Sequence, residues 1–401
     1  MLDQSTPVGV LGAGTMGSGI AQVALAAGHP VVLADSRAEA LPKARDGIAK
    51  GLAKLAEKGR IPANAPAAML DRLTTTAADE SLSNFSSCGL VIEAIVEDLA
   101  LKKTVFSRLE DVCFADAVLA TNTSSLPVTA IAAALSKPER AIGIHFFNPA
   151  PLLPLVEIVP GLGTDSEVTA AVRARVDAWG KTTVLASDTP GFIVNRIARP
   201  FYGEALRIYE EGLADCATID WAMKALGGFR MGPFELMDLI GNDVNYAVSR
   251  TVFEAFGYDP RYRPFLTQQQ LVAAGRLGRK SGRGYYDYRE GAAPAEPTQD
   301  RRLGESILQR ILALLINSAA DALFWRVASR EDIDLAMTKG VNYPKGLLRW
   351  ADELGPRSVH ERLLALHEEY GEERYRPSPV WRRLLQEGRG FYGPLERAVS
   401  V

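Results

Sequence analysis

The chain has 401 residues, 45 Lys and Arg against 48 Asp and Glu for a net charge of −3, and a composition that is 47% hydrophobic and 23% charged. Such a length suggests two or three domains able to bury a large core, and the charge balance argues against a general nucleic-acid surface while leaving room for a local basic patch. Cys88, Cys113 and Cys216 have neither disulfide nor metal-ligand spacing, no apolar run approaches a membrane span, and no signal peptide opens the chain, so the expected location is the cytoplasm.

Val8 to Leu11 is a short apolar run that enters Gly12-Ala13-Gly14-Thr15-Met16-Gly17. A helical pattern follows through Ile20, Val23, Ala24 and Ala27 and stops at Gly28, a glycine cap. Val31 to Leu33 reads as a buried strand ending at Asp35. Strand, Gly-x-Gly-x-x-Gly, helix, strand and acid is the dinucleotide-binding pattern. Its first glycine permits a tight turn, the second lets backbone approach a pyrophosphate, and the third lets helix and strand pack closely. The helix N-terminus offers N–H groups to the phosphates. Asp35 stands where a carboxylate accepts hydrogen bonds from the adenine ribose, and its charge opposes a 2′-phosphate, which favours NAD over NADP; Arg37 nearby argues the other way.

The pattern from Ala38 to Lys58 is a long helix with Lys50, Lys54 and Lys58 on one face. Two readings stand for this stripe, a solvated face and a surface for an anionic ligand. A short helix is expected from Ala67 to Leu73, a buried strand from Gly89 to Ile95, and a helix from Leu99 to Val112 preceded by Glu97 and Asp98. Ala117 to Ala120 is a strand whose C-terminal end releases Thr121 to Ser125, where ligands of open parallel sheets bind. A helix from Pro127 to Leu135, strands at Ala141–Phe147 and Leu155–Val159, a helix from Glu167 to Trp179 and a strand at Thr183–Ala186 complete a doubly wound α/β sheet domain, residues 1–186.

From Ser187-Asp188-Thr189-Pro190 onward the apolar periodicity is helical, and Asp-Thr-Pro reads as a helix start carrying Asn195. An internal repeat marks this half. At an offset of 114, Arg196-Ile197, Ala205, Ile219-Asp220 and Ala222-Met223 recur as Arg310-Ile311, Ala319, Ile333-Asp334 and Ala336-Met337. Gly282-Arg283-Gly284-Tyr285-Tyr286 is echoed by Gly388-Arg389-Gly390-Phe391-Tyr392. Two all-α domains are therefore expected, 187–289 and 300–401, joined by a linker rich in Ala, Pro and Gly. Asn195 aligns with Gln309, so the second copy is expected to keep the fold and not the site.

Oxidising an alcohol above NAD needs a base for the hydroxyl proton and donors for the developing charge on oxygen. His145, leaving a strand, suits the base; Glu157, twelve residues on, suits its orienting carboxylate; Ser124 and Asn195 suit the donors. The opposed readings are a histidine packed against Phe146 and Phe147, a turn serine and a helix-start asparagine. His29 reads as structural, His360 and His367 as surface residues, and no metal site assembles from these parts.

The motifs Gly-Ala-Gly-Thr-Met-Gly at 12–17, Asn-Thr-Ser-Ser-Leu at 122–126 and His-Phe-Phe-Asn-Pro at 145–149 resemble the 3-hydroxyacyl-CoA dehydrogenase family. So do Leu-Val-Glu at 155–157, Asp-Thr-Pro-Gly-Phe-Ile-Val-Asn-Arg at 188–196 and Met-Gly-Pro-Phe-Glu-Leu-Met-Asp at 231–238. The resemblance implies a Rossmann-type domain and NAD-dependent conversion of a 3-hydroxyacyl-CoA thioester to its 3-oxo form. By it His145 is the base, Glu157 its partner, and Ser124 and Asn195 the substrate-oxygen donors. Asp35, Glu97, Lys102 and Asn148 match NAD contacts, to which Gly12, Gly14, Thr15, Met16, Gly17 and Asn122 are added. Lys58 matches a coenzyme A contact, with Lys54 on the same stripe, while Gly51 stands where the family can use a serine. The resemblance further implies either a homodimer or a monomer whose second helical copy replaces the partner. The rival readings are a dehydrogenase of a free hydroxy acid or sugar acid, as in gulonate-oxidising relatives, and an NAD-binding structural protein without turnover.

Overall fold

The computed structural model describes residues 3–78 and 82–394. By Cα packing the chain divides into two compact units, Met1–Phe192 and Ile193–Val401.

Among the described residues of the first unit, eight strands form one sheet in the order β3-β2-β1-β4-β5-β6-β7-β8. They are β1 (Val8–Leu11), β2 (Val31–Asp35), β3 (Leu73–Ala77), β4 (Leu90–Glu93), β5 (Val118–Thr121), β6 (Ala141–Phe146), β7 (Leu155–Pro160) and β8 (Thr182–Leu185). The first six run parallel, and β7 turns back antiparallel to β6, with β8 parallel to β7. Helices α1 (Thr15–Ala26), α2 (Ala40–Glu57), α3 (Ala65–Leu70), α4 (Leu99–Val112), α5 (Val128–Ala132) and α6 (Ser166–Ala178) flank it. Successive strand residues face opposite sides. Val10, Leu33, Ile92 and Ile144 pack with Ile20, Ile48 and Val176 of α1, α2 and α6. Leu11, Val91 and Leu119 pack with Phe106, Leu109 and Ile131 of α4 and α5.

The helix expected from Ala67 to Leu73 ends at Leu70, and Leu73–Ala77, of which only Leu73 belongs to an expected element, is an edge strand paired in parallel with β2. Three consecutive β-branched threonines fit an extended, half-exposed edge better than a helix. The helix expected at Asp188-Thr189-Pro190 starts at Val194 instead. Gly191 and Phe192 hold φ of +73° and +47°, which no helix admits. The Asp188 carboxylate is committed elsewhere, accepting Val128 N at 2.9 Å and Thr129 N at 2.7 Å at the start of α5.

The second unit is helical: α7 (Val194–Ile197), α8 (Arg199–Glu210), α9 (Cys216–Trp221), α10 (Pro233–Ile240), α11 (Asn242–Ala255), α12 (Leu266–Ala273), α13 (Arg301–Phe324), α14 (Arg330–Gly340), α15 (Leu347–Leu354), α16 (Pro356–Tyr370) and α17 (Pro379–Glu387). Here α13 corrects the expectation that no apolar run nears a membrane span, since its most apolar stretch has mean hydropathy 1.5 and sufficient length. That stretch is 72% buried by neighbouring helices, as a core helix is.

Paired carboxylates, Asp220, Asp238 and Asp334 buried and Asp352 half-buried, brace this unit. Asp220 accepts Phe234 N at 2.9 Å, Glu235 N at 2.8 Å and the Tyr286 hydroxyl at 2.8 Å. Asp334 accepts Leu348 N at 2.8 Å, Arg349 N at 3.0 Å and the Tyr392 hydroxyl at 3.0 Å. Asp238 takes the amides of Tyr285 and Tyr286, and Asp352 those of Phe391 and Tyr392. Around α8 and α13, Arg310 donates to Glu204 at 2.6 Å and to Glu211 at 2.9 Å, and Tyr375 to Glu204 at 2.7 Å.

Candidate active site

The loop after β1 begins at Gly12, whose φ is +107° and whose missing Cβ would meet Ala94 O at 2.6 Å. At Gly17 a Cβ would run into Gly12 O, so only hydrogen lets α1 close on the loop. By contrast, a Cβ at Gly14 would point into open space, leaving the loop's outer face accessible. Helix α1 starts at Thr15 with no side-chain cap, so its first N–H groups and the positive end of its dipole remain uncommitted. The Asp35 carboxylate accepts Ala13 N at 2.7 Å and Arg37 N at 2.9 Å, tying the end of β2 to the loop. Open backbone, an uncapped helix start and an acid at the next strand end fit a dinucleotide.

Beside this cradle lies a buried network that the sequence reading found only in part. Lys102, 1% exposed, donates to Glu93 at 2.6 Å and lies 3.3 Å from Glu97. Glu93, wholly buried at the end of β4, also accepts from the Thr121 hydroxyl at 2.8 Å and from Ile95 N at 2.7 Å. Glu97 accepts the Thr123 hydroxyl at 2.6 Å and Ser124 N at 3.1 Å. Burial raises the Glu97 carboxyl, but the Lys102 ammonium and these hydrogen bonds outweigh it, holding its pKa below the ordinary range. Glu93 was missed, yet it ends an apolar strand as Asp35 does, which is a usable signal. The network fixes the Thr121–Ser125 turn and, among the described residues, leaves the Ser124 hydroxyl without a hydrogen bond. Asn122 accepts Phe146 N at 2.9 Å, holding the end of β5 against the end of β6.

His145 lies on β6 directly opposite Glu157 on β7 in the antiparallel register. Across that ladder His145 Nδ1 meets Glu157 Oε2 at 2.6 Å, with the ring 5% exposed and the carboxylate fully buried. The rings of Phe147 and Phe192 pack against the imidazole with centroids at 4.5 and 5.7 Å. The histidine is packed among aromatics, and its packing presents one nitrogen to a carboxylate. An ionised carboxylate accepts only, so opposite such a group Nδ1 is the donor of this contact and Nε2 is the ring nitrogen left outside it. Asn148 is exposed in the β6–β7 loop, its bond to Pro149 cis.

Asn195 is half-buried on α7, in the second unit, three residues beyond Phe192. Lys54 and Lys58 stand in solvent at the end of α2 and form no ion pair among the described residues. Gly51 faces the Gln22 side chain of α1, which a Cβ there would displace. His29 is structural, as expected: its Nδ1 meets Thr6 O at 3.0 Å and its Nε2 accepts from Trp179 at 2.9 Å. His360 and His367 are half-buried rather than on the surface, and His367 bonds Glu372 O at 3.1 Å.

Comparison with known proteins identifies the family. The family model for the 3-hydroxyacyl-CoA dehydrogenase NAD-binding domain matches residues 7–189, and the model for that family's C-terminal domain matches twice, at 191–288 and 307–391. The 3-hydroxyadipyl-CoA dehydrogenase of Escherichia coli is 40% identical over 95% of this chain and 98% of its own. Human mitochondrial hydroxyacyl-coenzyme A dehydrogenase is 40% identical over 70% of this chain and 91% of its own. The crystal structure of 3-hydroxybutyryl-CoA dehydrogenase from Escherichia coli superposes with a TM-score of 0.88 at 39% identity, covering 96% of this chain and all of that one.

Proposed function

The chain belongs to the 3-hydroxyacyl-CoA dehydrogenase family, and we propose that within this NAD-dependent oxidation His145 is the general base and Glu157 the carboxylate that orients it. The observation that carries this is the buried 2.6 Å contact between His145 Nδ1 and Glu157 at the C-terminal edge of β6. His145 Nε2 takes the proton of the substrate's 3-hydroxyl as its C3–H bond gives up a hydride. Bound NAD supplies the acceptor for that hydride, and the products are the 3-oxo thioester, NADH and a proton. The imidazolium formed at His145 is stabilised by Glu157 without proton transfer to it.

Ser124 and Asn195 are the proposed donors to the substrate oxygen, and Lys54 and Lys58 the proposed contacts for the phosphates of coenzyme A. Asp35, Asn122 and Asn148 are proposed to contact NAD, with Glu97 and Lys102 fixing the turn between them. The chemistry needs no metal ligand and no nucleic-acid surface, and the unpaired, scattered cysteines support a cytoplasmic location. The first substrates to test are 3-hydroxybutyryl-CoA and 3-hydroxyadipyl-CoA, the thioesters that the relatives' names carry. NADH formation is followed with both, beside the free acids, in the parent enzyme and in His145→Gln. We expect turnover of thioesters only and near-complete loss in the variant, with NADH binding kept. Near-normal turnover by His145→Gln removes the residue from the base role.

We further propose that residues 187–289 and 300–401 are two copies of one helical domain, the second standing in for a partner subunit. The matched carboxylate braces of Asp220 and Asp334, and of Asp238 and Asp352, support the duplication. A reciprocal exchange supports the pairing. Arg261 of the first copy reaches Asp321 on α13, and Arg374, at the matching position after Glu372 and Glu373, approaches Glu204 on α8 at 3.8 Å. The acceptors are not equivalent positions, since Glu204 aligns with Ser318 at the offset of 114, so the pairs join the copies without two-fold identity. A chain truncated after Glu290 is expected to dimerise or aggregate in size-exclusion chromatography with light scattering. A well-folded monomer refutes the idea.

A further inference from the structure

Arg199 begins α8 and is 8% exposed. Its guanidinium lies over the Tyr202 ring at 5.0 Å and donates through Nη1 to the Ser249 hydroxyl at 3.1 Å, while Nε has no partner. Among the described residues no carboxylate comes within ion-pair distance of it. Arginine keeps its charge in proteins, and a buried charge is ordinarily paired. Ser249 spends its own proton on Asn245 O at 3.0 Å, so it brings no negative charge.

Two small cavities meet at Gly203 and Arg261, each of about 20 Å³, which is room for one water-sized occupant. The first is bordered by the carboxylates of Glu204 and Asp321 along with Arg261 and Arg374. The second is bordered by three arginines, Arg199, Arg261 and Arg263, with Ser249 and Gln268, and by no carboxylate. Arg261 is already balanced by Asp259 and Asp321, and Arg263 is exposed to solvent. Arg199 is therefore the buried guanidinium at the second cavity that has no carboxylate at ion-pair distance among the described residues. Water there would satisfy N–H groups and leave the charge unopposed; only an anion offsets it.

We propose that this cavity binds a small monovalent anion of the chloride class, held chiefly by the Arg199 guanidinium, and that the anion stabilises the start of α8. The claim concerns the helical unit alone and is independent of the catalytic roles proposed above. Crystals of the full chain grown without halide and transferred to sodium bromide are expected to give a bromine anomalous peak against Arg199. Water density there without an anomalous peak overturns the proposal. In solution, the melting temperature is expected to rise by a few degrees with sodium chloride relative to sodium gluconate at equal ionic strength. Arg199→Met is expected to lose that rise, and Arg199→Lys to keep part of it. An equal rise in the methionine variant, or none in the parent, also overturns it. Should the methionine variant not fold, the bromide peak and the parent's anion dependence decide the matter alone.

Discussion

Replacing Glu157 with Gln tests the catalytic reading at its centre. The substitution keeps the shape of the residue opposite His145 and removes its charge from a position that is wholly buried. In the parent, the proton taken by Nε2 leaves an imidazolium whose Nδ1–H points at a carboxylate oxygen 2.6 Å away. Taking the charge centres as about 4 Å apart and an effective dielectric of about 20, that attraction is worth about 4 kcal/mol. It acts only once the ring is charged, so it lowers the barrier rather than the energy of bound substrate. A loss of about 4 kcal/mol is a fall of about 10³ in kcat, with KM for the thioester little changed. Stopped-flow and steady-state NADH absorbance measure kcat, and fluorescence titration measures NADH affinity. A folded Glu157→Gln enzyme with kcat within about tenfold of the parent refutes the reasoning, because Glu157 would then be a packing partner of the histidine and no more.

Other consequences follow from single side chains. Lys181 donates to Ala150 O at 2.5 Å and Leu153 O at 2.8 Å, and burial brings its pKa down to about 8. The unfolded chain then binds more protons than the folded one between about pH 8 and the ordinary lysine value, so Lys181 lends stability as pH rises through that window. The melting temperature of the parent minus that of Lys181→Met should grow across it, and a flat difference contradicts the shift. Burial pushes the Cys88 and Cys113 thiols up to about 12 and about 11 and Cys216 higher still. The native protein at pH 8 should show no rapidly reacting thiol toward a disulfide reagent and three after denaturation. Removing the Asp188 carboxylate leaves Val128 N and Thr129 N without acceptors, so Asp188→Ala should cost about 1–2 kcal/mol, read as a lower urea midpoint at unchanged slope.

How much was legible in the sequence depended on the range of the interaction involved. The nucleotide cradle is local: turn, helix start and acid lie within a couple of dozen residues, and each is dictated by a steric or dipolar need that leaves its mark as a residue type. His145 and Glu157 were legible as a pair because their strands are joined by a short loop, although the direct opposition that brings Nδ1 to the carboxylate is a property of register. Asp188 was misread because a helix-capping acid looks the same whether it caps the helix it precedes or one 60 residues earlier in the chain. Lys102 likewise carries no local mark of burial; its place between Glu93 and Glu97 follows from β4 and α4 meeting in space. Arg199 is of the same kind. Its residue type predicts solvent, and only the packing of α8 shows a charge without a counter-charge.

On the duplication reading, the difference between the copies concentrates in one short stretch. In the first copy Gly191 and Phe192 adopt positive φ, the Phe192 ring meets His145, and the chain then makes only the short α7 before Pro200 enters the first turn of α8. At the offset of 114 these positions become Glu305, Ser306 and Leu314, and all three lie inside the unbroken α13. Proline in a helix interior removes a hydrogen bond and clashes with the preceding turn, so Leu314 permits the continuity that Pro200 forbids. Gln309, at the position of Asn195, is taken by Arg362 of its own copy. Arg310, at the position of Arg196, is turned to Glu204 and Glu211 of the first copy. A segment that ends the sheet domain and reaches its histidine in one copy is, in the other, a core helix whose polar groups join the two copies. Losing the break removed the means of presenting a side chain to a sheet, and the freed positions took on binding between the copies.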